Sequence, residues 1–173
     1  FTAAPVTVFL SGIIGSQISP MKSLATLPMS ISVVGIAIGA IVATKTMSLV
    51  GRKLGFIYAS IGNTLFSILA AYSIYSQNFI LFCFANFFIG IGMAFTHQYR
   101  FAAAESVNKE MAPKAISIIL FGGIISAFLG PSLANFSKDL ISENLYVGSY
   151  LALALLTLSL IHISKPTRRR HIS

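Results

Sequence analysis

This sequence consists largely of apolar runs separated by short polar breaks. An α-helix rises about 1.5 Å per residue, so about 20 apolar residues are needed to cross a hydrocarbon core about 30 Å thick. Such runs cover residues 2–18, 24–47, 54–75, 79–98, 115–136 and the segment from 145 onward. The pattern predicts an all-α fold, a polytopic membrane bundle of six transmembrane helices.

The composition excludes most soluble classes of protein. Only 9% of the residues are charged, which is too few to cover a water-facing surface, since soluble domains carry about 25%. The net charge of +8 does not indicate nucleic-acid binding, because the basic residues stand mostly singly between apolar runs and form no hydrated face. The single cysteine, Cys83, excludes an internal disulfide and a cysteine-based zinc site. We therefore expect the lipid bilayer, and no nucleic acid, as a partner.

The basic residues of the breaks indicate an orientation. The second and fourth breaks hold Lys45, Arg52, Lys53, Arg100, Lys109 and Lys114, whereas the other three hold only Lys22 and Lys138. Lysine and arginine accumulate in cytoplasmic loops. We therefore expect a multi-pass integral protein of the bacterial cytoplasmic (inner) membrane, with its N-terminus in the cytoplasm.

The tail from Leu158 reads Leu-Ser-Leu-Ile-His-Ile-Ser-Lys-Pro-Thr-Arg. This string resembles the in-frame translation of a transposon-end adapter used in sequencing libraries, and it differs from that translation only at Lys165. The alternative is a native basic tail, which the positive-inside rule would favour at the cytoplasmic end of a sixth helix. We expect residues 158–173 to be a non-native tail and the native sequence to stop near Thr157, where the sixth run is still too short to cross a bilayer.

The second break reads Thr-Lys-Thr-Met-Ser-Leu-Val-Gly-Arg-Lys over residues 44–53. It resembles the loop signature of the major facilitator superfamily, Gly-x-Leu-Ala-Asp-Arg-x-Gly-Arg-Lys. The chain keeps Gly51, Arg52 and Lys53 of that pattern and has Ser48 where the family has the Asp that helps to latch two halves together on the cytoplasmic side. An ordinary basic turn explains Arg52 and Lys53 equally well.

Glycines in the fourth and fifth runs extend the resemblance. Gly122, Gly123, Gly130 and Pro131 resemble the Gly-Pro-bearing fifth helix of antiporters in the superfamily. Gly90 and Gly92 stand where another family motif has glycines, although the arginine of that motif is replaced by Asn86. Close helix packing, as at Gly35-x-x-x-Gly39, is the alternative reason for such glycines.

The resemblance implies that residues 1–157 form the N-terminal six-helix half of a transporter, with the first helix truncated. It implies inverted three-helix repeats, a C-terminal half on the same polypeptide, and secondary active transport of a small solute by alternating access, with antiport as one mode. Because helices one, two, four and five border the cavity in this family, we expect substrate contacts at Ser11, Gln17, Asn86 and Ser126. For each there is a structural alternative, since serine can bond its own helix and Asn86 can tie two helices together.

The end of the fourth run carries several polar and charged side chains, which include His97, Arg100 and Glu105. Arg100 suits an anionic substrate or a partner across a gate, and Glu105 suits a pair with Arg52, as in relatives. A solvated loop is the alternative for both. No Asp or Glu lies within a predicted span, so a proton-carrying group would be His97 or would lie in the missing half.

Two other classes of function compete with transport. A membrane-embedded enzyme would need a nucleophile with a base or a His-Glu-x-x-His zinc site, and the sequence has neither. We expect no enzymatic activity, no catalytic residues, no cofactor and no metal. A six-span structural or channel-like membrane protein is the second alternative, although the short outer breaks leave little room for a selectivity filter.

Overall fold

The computed structural model describes residues 3–98, 101, 104–105, 107–137 and 147–163, and these residues form helices and turns without a strand. The helices are α1 (Ala3–Ile18), α2 (Leu27–Val50), α3 (Arg52–Tyr75), α4 (Phe79–His97), α5 (Ala112–Ser137) and α6 (Val147–Ile163), with a short 3-10 turn at Lys22–Leu24. Each apolar run of the sequence therefore corresponds to one helix, and the prediction of an all-helical fold is confirmed.

The helix boundaries have local causes. Pro28 occupies the first turn of α2, where its fixed φ fits and its missing N–H is not needed. Gly51 separates α2 from α3 with φ +83°, a left-handed conformation that a side chain rarely adopts. Asn78 caps α4, since its side-chain oxygen accepts a hydrogen bond from the backbone N–H of Leu81 at 3.0 Å.

Four stretches of the described chain are long and apolar enough to cross a membrane. They are Lys22–Val50, Arg52–Tyr75, Phe79–His97 and Ala112–Leu129. Helix α1 has 16 residues and α6 has 17, so both fall short of the length that a span ordinarily needs. Helix α6 continues past Thr157 to Ile163, and the first residues of the adapter-like tail thus lengthen it.

Helix α3 buries polar side chains and exposes apolar ones, which is the reverse of the pattern expected in water. Its buried side includes Ser60, Asn63, Thr64, Ser67 and Ser73. Its exposed side carries large apolar and aromatic residues three or four positions apart: Leu54, Tyr58, Ile61, Leu65, Ile68, Tyr72 and Tyr75. The tyrosines stand near the two ends of this stripe, where aromatic residues of membrane proteins meet the lipid headgroups. Lipid around α3 explains this arrangement, whereas water does not.

Helix α4 holds the bundle together. It packs along α2 on one side and along α3 on the other, while α3 also packs along α6. Helix α1 contacts α2 and α5, and α5 touches α6. The hydrophobic core lies between α1, α3, α4 and α6, with Leu10, Ile74, Phe82 and Tyr150 among its members.

Glycines set the distance between α2 and α4. A β-carbon on Gly35 would stand 2.2 Å from the carbonyl oxygen of Phe87, and one on Gly39 would stand 2.7 Å from the Cα of Ile91. Both separations are shorter than real contacts allow. The prediction that Gly35-x-x-x-Gly39 permits a close helix approach is therefore confirmed.

Candidate functional site

Asn86 lies at the centre of the bundle and is fully buried. Its Nδ2 donates to the carbonyl oxygen of Phe82 at 2.9 Å, one turn earlier on α4. Its Oδ1 accepts a hydrogen bond from the hydroxyl of Tyr150 on α6 at 3.4 Å, and Tyr150 is fully buried as well. This geometry is that of the structural alternative, in which Asn86 ties α4 to another helix.

Tyr150 is a residue that the sequence reasoning missed. It lies in the short sixth run, and its ring packs edge-to-face on Phe82 with 5.7 Å between the ring centroids. A single tyrosine inside an apolar run is the signal that could have identified it, because a buried phenol usually finds a hydrogen-bond partner.

The serines expected to contact substrate bond to their own helices. The hydroxyl of Ser11 is fully buried and donates to the carbonyl oxygen of Val8 at 3.2 Å. The hydroxyl of Ser126 donates to the carbonyl oxygen of Gly122 at 2.8 Å. Gln17 is exposed near the end of α1. The structure therefore gives both serines the local hydrogen bond of the structural alternative, and it leaves Gln17 accessible.

Helices α2 and α4 end, and α3 and α5 begin, at the same end of the bundle. We call it the basic end. An ion pair lies at this end of the bundle. Nη2 of Arg52 is 2.5 Å from Oε1 of Glu105, which comes 53 residues later in the chain. Both side chains keep contact with solvent, at 38% and 67% exposure. Of the two interpretations of Glu105, the structure shows the pair with Arg52.

The structure describes some, but not all, of the other residues predicted at the basic end. Lys53 is exposed directly after Arg52, and His97 is exposed in the last turn of α4. Arg100 lies outside the described residues, so its role stays a prediction. The left-handed Gly51 turns the chain so that Arg52 can begin α3.

The glycine and proline motif of the fifth run lies within one continuous helix. Helix α5 extends from Ala112 to Ser137 and includes Gly122, Gly123, Gly130 and Pro131. A β-carbon on Gly122 would meet no atom within 4 Å. Gly122 is therefore not required by close packing against the described part of the chain.

A groove between α2, α3 and α4 also escaped the sequence reasoning. It has a volume of about 220 Å³, and its lining is formed by Thr46, Tyr58, Ala59, Gly62, Asn63, Phe66, Phe88, Ile91, Gly92 and Phe95. The rings of Phe66 and Phe88 stack with 4.4 Å between their centroids and 9° between their planes. The groove is thus mostly apolar, with four aromatic rings in its lining and the amide of Asn63 as its strongly polar group.

The described residues contain no cluster of three or more His, Cys, Asp or Glu side chains that could hold a metal ion. Among the described residues, the polar groups at the centre are amides and hydroxyls, and the basic end carries the Arg52–Glu105 pair, lysine side chains and His97. Such groups can orient a neutral or anionic solute and can hold helices together.

Comparison with known proteins gives one informative similarity. The chain is 30% identical over 157 residues to the riboflavin transporter RfnT of Brucella anthropi, and the match covers 91% of this chain and 39% of that protein. The chain thus spans less than half the length of this relative. No protein-family model matches the chain, and no solved structure matches it. With the four long apolar helices, the similarity supports a multi-pass membrane protein.

Proposed function

We propose that this chain forms the N-terminal six-helix half of a secondary transporter of the major facilitator type, and that the whole polypeptide moves riboflavin or a related flavin by alternating access. The observation that carries the proposal is the similarity over 157 residues to a riboflavin transporter. The match covers 39% of that relative, so the chain corresponds to less than half of its length.

The packing of the helices supports a repeat of three helices. The contacts α2–α4, α2–α3 and α3–α4 have the counterparts α5–α1, α5–α6 and α6–α1 when every helix number is shifted by three, and α3–α6 maps onto itself. The counterpart contacts are less extensive, and among the described residues α1–α2 has no equally extensive counterpart between α4 and α5. Such correspondence is expected when two three-helix repeats are related by a two-fold axis. It favours a transporter of this type over an arbitrary helical membrane protein.

Two exposed apolar helix faces support a second half of the transporter as partner. Helices α2 and α5 expose apolar side chains along much of their length, which include Val33, Val34, Ile38, Ile41, Phe121, Ile124, Ile125 and Phe128. Helix α5 contacts its neighbours less than the other long helices do. A C-terminal half on the same polypeptide would cover these faces, and the two halves would rock against each other around the solute.

The ion pair at the basic end supports a role in gating. Arg52 belongs to the part of the superfamily signature that the chain keeps, and Glu105 fixes it from the segment after α4. We assign this end to the cytoplasm, because Lys45, Lys53 and Lys114 also lie on it. In the proposal the pair is one of the contacts that forms or breaks as the cytoplasmic side closes and opens.

On the solute path we place the exposed residues Gln17 and His97, together with Arg100, which lies outside the described residues. The buried Ser11, Asn86 and Ser126 shape the helices that border the path. Antiport, with His97 or a group in the other half as proton carrier, is the mode that the Gly-Pro motif of α5 favours.

Uptake by cells tests the proposal. The intact reading frame is expressed in a riboflavin auxotroph that lacks its own uptake system, and entry of radiolabelled riboflavin is compared with that of an empty vector. We expect saturable uptake, and slower uptake in Arg100→Ala. Uptake equal to that of the vector, or non-saturable uptake as through a channel, would contradict the proposal.

A further inference from the structure

The groove between α2, α3 and α4 opens beside the exposed apolar stripe of α3, and Tyr58 at its rim is 56% exposed. We infer that this groove binds a planar nitrogen heterocycle with an amide or imide edge, which pairs with the amide of Asn63 while its ring lies among the aromatic walls. The substrate class rests on the proposed function, whereas the position of the site comes from the groove itself.

The side-chain oxygen of Asn63 has no hydrogen-bond partner among the described residues. Asn63 is 9% exposed, and its Oδ1 is buried without a hydrogen bond among the described residues. A buried amide oxygen without a hydrogen bond is energetically unfavourable, so native structures seldom leave one unpaired. Since the second amide atom lies on the same group, rotation about the last side-chain bond can present either the oxygen or the nitrogen to the groove.

Gly92 on α4 makes room for this amide. A β-carbon on Gly92 would stand 1.9 Å from Oδ1 of Asn63 and 2.7 Å from its Nδ2. The flat amide therefore lies directly against the backbone of α4, and any side chain at position 92 would displace it. Asn63 is thus held in a defined recess, which limits the directions in which it can meet a ligand.

The shape of the groove fits a flat ring. Phe66 and Phe88 form a stacked pair at its wall, and Phe95 and Tyr58 add two further rings. Gly62 lies in the lining, and a β-carbon there would meet no atom within 4 Å. Aromatic pairs favour stacked or edge-to-face contact, so these walls select a planar aromatic guest over a branched one.

The depth of Asn63 in the membrane favours a neutral ring over a lipid headgroup as the ligand of the groove. Asn63 lies eleven residues after Arg52 on α3, which is about 16 Å along the helix and near the middle of a hydrocarbon core about 30 Å thick. A charged headgroup is costly at that depth. A neutral heterocycle carries a donor and an acceptor on one edge, and these match the acceptor and the donor of the asparagine amide.

Binding of riboflavin to the purified product of the intact reading frame in lipid nanodiscs tests the inference. The fluorescence of riboflavin is titrated with wild type, Asn63→Leu and Gly62→Leu. The first variant removes the amide, and the second fills the groove from a position where added atoms meet open space. We expect at least a tenfold higher Kd in both variants. Leu65→Ala, on the exposed stripe two residues from Asn63, and Ser67→Ala, a buried hydroxyl outside the groove, should bind as wild type does.

The outcomes separate this inference from the proposed function. If wild type binds and transports riboflavin and Gly62→Leu binds it with the same Kd, the groove is not the site and the inference is overturned. If native mass spectrometry finds a lipid that Gly62→Leu expels while riboflavin affinity is unchanged, the inference is overturned too. If wild type binds riboflavin through Asn63 but does not take it up, the groove stands and the transport proposal fails.

Discussion

The carbonyl oxygen of Ser32 on α2 lies 2.2 Å from the point where a β-carbon of Gly90 on α4 would stand. The two backbones are therefore in direct contact at this point. Without a hydrophobic driving force between helices in lipid, such contact supplies much of the attraction between them. The interface of α2 and α4 consequently depends on the absence of a side chain at position 90.

Gly90→Ala should destabilise the bundle. The added methyl group must push α2 away from α4, which we expect to cost about 1–3 kcal/mol even though alanine is the better helix former. The measurement is the thermal unfolding midpoint with a thiol-reactive dye, because the only cysteine, Cys83, is buried until the helices separate. Gly122→Ala is the matched control, since a β-carbon there meets nothing within 4 Å and its midpoint should stay or rise. A midpoint unchanged in Gly90→Ala would refute the packing argument.

The Arg52–Glu105 pair should contribute little to stability. Both side chains are partly exposed, and exposed ion pairs are worth about 0.2–1 kcal/mol. A double-mutant cycle with Arg52→Gln and Glu105→Gln, followed by the same thermal assay, measures the coupling. If the pair acts as a gate, Glu105→Gln should change the uptake rate at least twofold while the midpoint stays the same. A coupling above about 2 kcal/mol would show a structural role instead.

Tyr150→Phe should produce a small but measurable loss of stability. It removes the hydroxyl that donates to Asn86 at 3.4 Å and leaves the ring in place on Phe82. Hydrogen bonds between membrane helices average about 0.6 kcal/mol, with a maximum of about 1.7. Tyr72→Phe, on the exposed stripe of α3, is the control and should unfold with the wild-type midpoint. Equal midpoints for all three proteins would mean that Asn86 does not tie α4 to α6.

The orientation predicts opposite accessibilities for two turns. In a Cys83→Ser background, Lys53→Cys at the basic end should react with a membrane-impermeant thiol reagent only in broken cells, whereas Gln77→Cys should react in intact cells. The expectation follows from the basic residues around Lys53 and their absence around Gln77. If instead Lys53→Cys reacts in intact cells and Gln77→Cys reacts only in broken cells, the orientation is the opposite of the one proposed.

The DNA that encodes residues 158–168 and 172–173 should match the sequencing adapter base by base apart from the codon of Lys165, whereas codons 169–171 should hold a variable barcode. Sequencing of the source locus checks this, and adapter-like protein encoded by unrelated codons would contradict it. The corresponding control at the protein level is a chain truncated after Thr157, in which α6 lacks residues 158–163.

Much of the helical architecture follows from the sequence. Apolar runs must hydrogen-bond their own backbones in lipid, so their lengths alone predict the helices, and Gly51 and Asn78 mark boundaries that the structure confirms. The pair of Arg52 with Glu105 was one of two interpretations, and it was implied by the resemblance to the major facilitator superfamily.

Which faces of the helices meet was decided only by the tertiary structure. Helix α2 is apolar on all sides, so its sequence does not mark the side that packs on α4, apart from the Gly35-x-x-x-Gly39 spacing. The contacts of Tyr150 with Asn86 and of Asn63 with Gly92 join residues far apart in the chain. They arise where two helices approach within the reach of one side chain, and the same apolar composition permits many such approaches.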